Sequence, residues 1–192
     1  PIPRTGDQKL LAILVDFPDR MGLFTGQAWQ QFFFGRGGFA DYFKETSYNQ
    51  LRYTGNVVGL SGGVPVVNSA NAAYVRLPNP ITYYADRMYG FKHGAGQFPR
   101  NNGGVVYHAL QALDAAGFDF SPYADPATNK VENVVVVFAG SNYRYAGDPD
   151  NSLEATGYRL TAAGGGKYTS TDGQVFDNYT FCPDQGRLSG RM

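Results

Sequence analysis

Two continuous apolar runs, Leu10–Val15 and Val134–Ala139, constrain this chain more than any other feature. The first lies in KLLAILVDF and is halted by Pro18-Asp19; the second lies in ENVVVVFAG and is halted by Gly140. Amphipathic helices and half-solvated strands interleave polar residues at periods of 3.6 and 2, and neither run contains one. Short uninterrupted runs, β-branched in the second case, belong to strands buried on both faces. Both are expected as interior strands of one sheet. They also fall far short of the ~20 apolar residues of a membrane-spanning helix, so no membrane span is expected.

The rest of the chain supplies partners for such a sheet. Gln27–Phe34 reads as a short aromatic helix or turn closed by Gly35. Gly38–Tyr48 places Phe39, Tyr42, Phe43 and Thr46 at helical spacing. Gln50–Leu60 is rich in Val, Tyr and Thr and reads as a strand, followed by a Gly-Gly-Val-Pro turn. Residues 61–101 are irregular, with Pro65, Pro78, Pro80 and Pro99, and a hairpin is expected around Tyr74–Leu77. Asn102–Gly117 is the clearest helix: Val106, Ala109, Leu110 and Leu113 share a face, Asn101 or Asn102 caps the start, and Gly117 suits C′. Ala155–Ala162 and Gln174–Cys182 read as strands separated by Gly164-Gly165-Gly166. The order gives an α/β fold, a mixed twisted sheet with packed helices. At 192 residues the chain suits one domain, 1–192, with an irregular insertion at about 61–101.

Sixteen basic and sixteen acidic residues cancel to zero formal charge. Nucleic-acid binders carry a clustered basic excess and membrane-surface proteins a polybasic patch, so neither partner is expected. Hydrophobic residues make up 43%, enough for a core and against disorder. Charged residues are 17%, below the usual ~25%, while 14 Tyr and 14 Phe raise the aromatic share to 15%. A surface built from Tyr, Asn, Thr, Ser and Gly points to a secreted, extracellular protein. The single cysteine, Cys182, can close no disulfide within the chain. It is either a small buried apolar residue or the partner of a thiol on other polypeptide. No charged–apolar–small leader opens the sequence, and Pro1-Ile2-Pro3 resembles a processed or trimmed start.

Candidate chemistry is sparse. His93 and His108 are the two histidines. His108 falls about 160° from the Val106–Leu110–Leu113 stripe at 100° per residue, which makes it a solvated helix histidine. His93 lies in the loop FKHGAG. No HExxH or CxxC spacing occurs, so these residues alone hold no catalytic zinc. Gly-x-Ser-x-Gly is absent, and Ser61 and Ser69 belong to turns. Gly164–Thr169 lacks the full phosphate-loop spacing. Asp119, Asp125 and Asn129, and then Asp148 and Asp150 around Pro149, are either calcium-holding loops or ordinary turn residues. Asn178-Tyr179-Thr180 is an N-glycosylation sequon.

The ordered set of segments carries more than any single residue. Leu11–Asp19 (LAILVDFPD), Gly38–Gly59 (GFADYFKETSYNQLRYTGNVVG), Ala112–Asp125 (ALDAAGFDFSPYAD), Val131–Gly140 (VENVVVVFAG) and Tyr179–Asp184 (YTFCPD) follow one another. Together they resemble the secreted zinc metallopeptidases related to immune inhibitor A. The resemblance covers about residues 8–185. It departs at Ala124–Lys130, where relatives carry an Asp-rich calcium-type run, and at Phe138-Ala139-Gly140 and Ser152–Ala155, where they carry His-Ala-Gly and Trp-Ser-His.

The resemblance implies a zincin-like N-terminal subdomain that ends before the HExxH helix. Zinc is implied by the family but not ligated by this chain, its ligands and the catalytic Glu being expected beyond Met192. The acidic loops are the candidates for calcium. The implied function is the scaffold and substrate-rim half of a zinc-dependent endopeptidase domain, with 154–162 or 174–182 as the rim that pairs with an extended peptide or protein substrate. The implied partner is the C-terminal part of its own domain or another protein chain. The alternative reading is a non-catalytic extracellular binding or structural module.

Overall fold

The computed structural model describes residues 5–91, 97–142 and 148–185. The two apolar runs become β1 (Gly6–Asp16) and β6 (Val134–Asn142), which pair in parallel from Leu11↔Val134 to Val15↔Phe138. Around them the main sheet runs β3-β2-β1-β6-β11-β8, with β2 Leu51–Ser61, β3 Val64–Val67, β8 Thr156–Arg159 and β11 Asn178–Gln185. β2, β1, β6 and β11 are mutually parallel; β3 and β8 are antiparallel to their neighbours. The fold is therefore mixed α/β, and both runs are interior strands of one sheet.

The alternation of β1 separates two cores. Leu11, Ile13 and Val15 face Val136, Phe138 and Phe181 and the apolar side of α4 (Asn102–Ala115), which presents Val106, Ala109, Leu110 and Leu113. Leu10, Ala12 and Leu14 face Val57, Val135 and Val137, with Phe33 of α1 (Gly26–Phe34) against them. The amphipathic α2 (Phe39–Thr46) lies on this second side, where Phe39 and Phe43 pack on the Tyr53 ring. No described helix is long and apolar enough to cross a membrane.

Caps stand where composition places them. Asn101 Oδ1 accepts from the Gly104 N–H at 3.0 Å to start α4, and Gly117, at φ +77°, follows its end. From the last turn of α4, Asp114 accepts from the Tyr168 hydroxyl at 2.7 Å and the Thr171 hydroxyl at 2.6 Å. These bonds fasten α4 to a small second sheet of β5 (Lys130–Val131), β10 (Val175–Phe176) and β9 (Tyr168–Thr169).

Four expectations are corrected. The hairpin is not at Tyr74–Leu77 but at Gly62-Gly63, which joins β2 to β3 at φ +58° and +79°. Val75–Arg76 instead forms β4, parallel to the end of β1. Within 61–101, Ile81–Ala85 forms α3, so the insertion is more ordered than its prolines imply. Ala155–Ala162 changes from strand to helix, because Leu160–Ala163 (α5) turns under the sheet to bury Leu160 and Ala163. Gln174–Cys182 is divided between β10 of the small sheet and β11 of the main one.

α2 ends in a Schellman turn, with the Asn49 N–H reaching the Lys44 carbonyl at 2.7 Å. The left-handed position there is held by Tyr48, at φ +54° and 87% exposed, instead of glycine. Tyr48→Gly is expected to raise stability by about 1 kcal/mol, since it relieves a left-handed side chain that packs on nothing to compensate. A shift of the urea midpoint upward checks it; a downward shift contradicts it.

Candidate functional site

Two neighbouring grooves open at the N-terminal ends of β6 and β11. The first, of about 540 Å³, is lined by Phe39, Tyr53, Val135, Gly157, Tyr158 and Thr180. It lies on the α1/α2 side, where those helices cover β1 and β2 but leave Thr180 exposed on β11. The second, of about 550 Å³, is polar and carries Asp125, Lys130, Lys167 and Asp177. Glu132, Arg159 and Asn178 line both. Asn178 Nδ2 donates to Glu132 Oε2 at 2.5 Å, so the sequon nitrogen is engaged in the folded chain.

β8 is the outermost of the described strands on this side, antiparallel to β11 from Asn178↔Arg159 to Phe181↔Thr156. Of the two rim candidates, 154–162 supplies that outer strand. The 174–182 candidate does not, because β11 lies between β6 and β8.

At the opposite end, two buried carboxylates stand at the C-terminal ends of β1 and β11. Asp16 and Asp184 are each 4% exposed. Arg76 holds Asp16 in a bidentate pair at 2.6 and 2.8 Å. Asp184 accepts from the Gly140 N–H at 2.8 Å and the Leu23 N–H at 3.1 Å. Burial raises the Asp184 carboxyl above the ordinary range, against the lowering effect of those two bonds. Sequence reasoning missed this cluster; the available signal was an aspartate at the end of each apolar strand, in VDF and CPD.

The structure revises His108. It is half-buried, and its Nδ1 shares a hydrogen bond with the Tyr84 hydroxyl at 2.8 Å. It is not the solvated histidine expected, because Tyr84 of α3 covers that flank of α4. Burial lowers the His108 pKa below the ordinary 6.5, so its neutral form stabilises the fold above that value and the contribution is lost as pH falls through the folded value. The His108 contribution to stability, followed by the urea midpoint, should therefore fall on acidification from pH ~7.5 to ~5, by less than the ~1.4 kcal/mol per pH unit that one fully coupled proton allows, while the raised Asp184 carboxyl acts in the opposite sense. His108→Gln, which keeps an acceptor without titrating, should flatten that dependence; an unchanged slope contradicts the assignment.

His93 lies outside the described residues. Gly164 closes α5 at φ +97°, and Ser69 Oγ accepts from the Asn71 N–H at 3.1 Å, both turn duties. Asp119, Asp125 and Asp148 accept from the Ser121, Ala127 and Asp150 N–H groups of their own turns. Cys182 is half-buried, and burial, with the Asp184 charge adding, pushes its thiol up to about 12.

Zinc needs three or four converging ligands at about 2.0–2.3 Å. Among the described residues no group of three His, Cys, Asp or Glu gathers, and the one described histidine is bonded to Tyr84. These residues do not fit a zinc ion, and no chemical step is routed through one. Comparison with known proteins finds no family model that matches the chain and no curated protein that matches it.

Proposed function

We propose that this fold is the scaffold and substrate-rim half of a secreted, zinc-dependent endopeptidase domain with a zincin-like sheet, of the kind related to immune inhibitor A. The zinc ligands and the glutamate that activates water belong to polypeptide beyond Met192, which seats against the open groove beside α2. An extended peptide adds to the sheet along β8 by backbone hydrogen bonding.

The observation that carries this reading is the antiparallel outer strand β8 lying directly beside a groove that opens onto the sheet face. Four of the five ordered motifs add support, falling on elements of that sheet or its cover, while Ala112–Asp125 runs from the end of α4 into the connection that follows. Leu11–Val15 lies in β1, Phe39–Thr46 is α2, Val134–Gly140 lies in β6, and Tyr179–Asp184 lies in β11.

The test is to read the polypeptide that follows Met192 by intact-mass and peptide sequencing of the natural protein. His-Glu-x-x-His within ~20 residues is expected. A continuation without it overturns the peptidase reading in favour of a non-catalytic extracellular binding module.

A further inference from the structure

We propose that the connection from Phe17 to Thr25 is an acid-released strap, held down by the Asp184 carboxylate and freed at Leu23 when that carboxylate takes up a proton. The proposal is independent of the peptidase reading. The connection leaves β1 through a tight exchange of backbone hydrogen bonds between Phe17 and Arg20, at 2.9 and 3.0 Å. It enters α1 at Thr25, whose hydroxyl caps the helix by accepting from the Ala28 N–H. Between those fixed ends, Asp19 Oδ1 accepts from the Ile81 N–H at 3.0 Å and the Phe24 backbone bonds the Tyr74 hydroxyl, while Gly22 and Leu23 are held by carboxylates. The Leu23 N–H donates to Asp184 Oδ2 at 3.1 Å, and the Gly22 N–H makes a long contact of 3.5 Å with Asp16 Oδ2. Gly22 also lies flat on the Tyr74 ring, so close that a Cβ there would sit 2.2 Å from Cζ.

Asp184 stands where the register of β11 shifts between Pro183 and Gln185, and its two oxygens divide their work. Oδ1 accepts from Gly140 at 2.8 Å and locks the end of β6. Oδ2 accepts the longer bond from the strap. A protonated carboxyl carries an O–H that donates, and the oxygen that bears the proton is a much poorer acceptor, so one of the two N–H bonds weakens. The longer and less buried bond, to Leu23, is the one to go.

The surroundings favour that protonation. Burial is the main influence that favours it, and the like charge of Asp16 on β1 adds to it, while Arg76 from β4 is held in a bidentate pair by Asp16. Arg20 on the strap is the cation that acts on Asp184, and Cys182 and the Tyr74 hydroxyl are its other titratable neighbours. Because its pKa is raised in the folded chain, the folded state takes the proton more readily than the unfolded one. Its titration therefore does not destabilise the whole fold. It costs only the strap, which is the signature of a local switch and not of acid unfolding. The strap displays Met21, Leu23 and Phe24 at 69%, 62% and 40% exposure, so its release repositions an apolar, water-facing tip.

The test uses the intact chain and amide hydrogen exchange between pH ~7.5 and ~4.5, expressed as protection factors. Protection at Leu23 should fall about tenfold along a one-proton curve while Ala109 and Leu110 in α4 stay protected. The fluorescence of Trp29, the only tryptophan, should follow the same curve, since its Nε1–H donates to the Tyr74 hydroxyl at 3.3 Å. Asp184→Asn should expose the Leu23 amide already at neutral pH and abolish the acid dependence there; His108→Gln should leave that dependence intact. The Asp184 carboxyl carbon, followed by NMR in the unaltered chain, should titrate at the midpoint of Leu23 release. That last measurement holds even where the variant does not fold. Leu23 protection that tracks α4, or a carboxyl midpoint apart from the release midpoint, overturns the proposal.

Discussion

Phe138→Ala is expected to lower the unfolding free energy by about 3–5 kcal/mol, the largest loss anticipated from any single truncation in this chain. Phe138 is fully buried in the centre of the sheet, where β6 lies between β1 and β11. Its ring stacks on Phe181 with centroids 4.5 Å apart and planes 15° from parallel. Removing it deletes apolar area and leaves a cavity walled by strands that cannot close in without breaking their ladders. Urea unfolding at neutral pH checks the figure. A loss under ~1 kcal/mol would mean that the two strands do not share this core.

Arg76→Met should cost about 2–3 kcal/mol, because it leaves the Asp16 carboxylate buried without its cation. The estimate stands below the usual figure for a broken buried pair because the Arg76 side chain is 47% exposed and water can follow it in. The informative comparison is the double variant. With Asp16→Asn added, no uncompensated charge remains, and part of the lost stability should return. A double variant that is worse than the sum of its singles would contradict the account, since it would make the pair itself, and not the stranded charge, the source of the loss.

How legible this molecule is in its sequence depends on how local the cause is. β1 and β6 follow from composition alone, since a run such as LLAILV has no face to offer water. α4 is equally readable, with its apolar stripe between an Asn cap and a glycine stop. The failures share one cause, which is tertiary contact across long separations. Val75–Arg76 is a strand because β1 extends beyond β2 and needs a neighbour there. α5 forms because Leu160 and Ala163 find a core beneath the sheet, which the β-like run before them does not announce. His108 is bonded because Tyr84 arrives from a segment whose prolines suggest loop.

The site follows the same rule. The outer position of β8 is a matter of strand order, and strand order is set by pairings that no local pattern encodes. Asp16 and Asp184 are separated by most of the chain and meet only because parallel strands bring their ends together. Each alone reads as an ordinary residue at the end of a strand.

The proposed peptidase reading puts the rim and backing of a metallopeptidase on this sheet and its catalytic helix beyond Met192. The most direct measurement is cleavage of an unstructured protein such as casein by the polypeptide that includes the residues following Met192, alongside its metal content. One zinc per chain, cleavage abolished by a chelator, and recovery when zinc is restored are the expected results. A folded polypeptide that binds no zinc and leaves casein intact would contradict it.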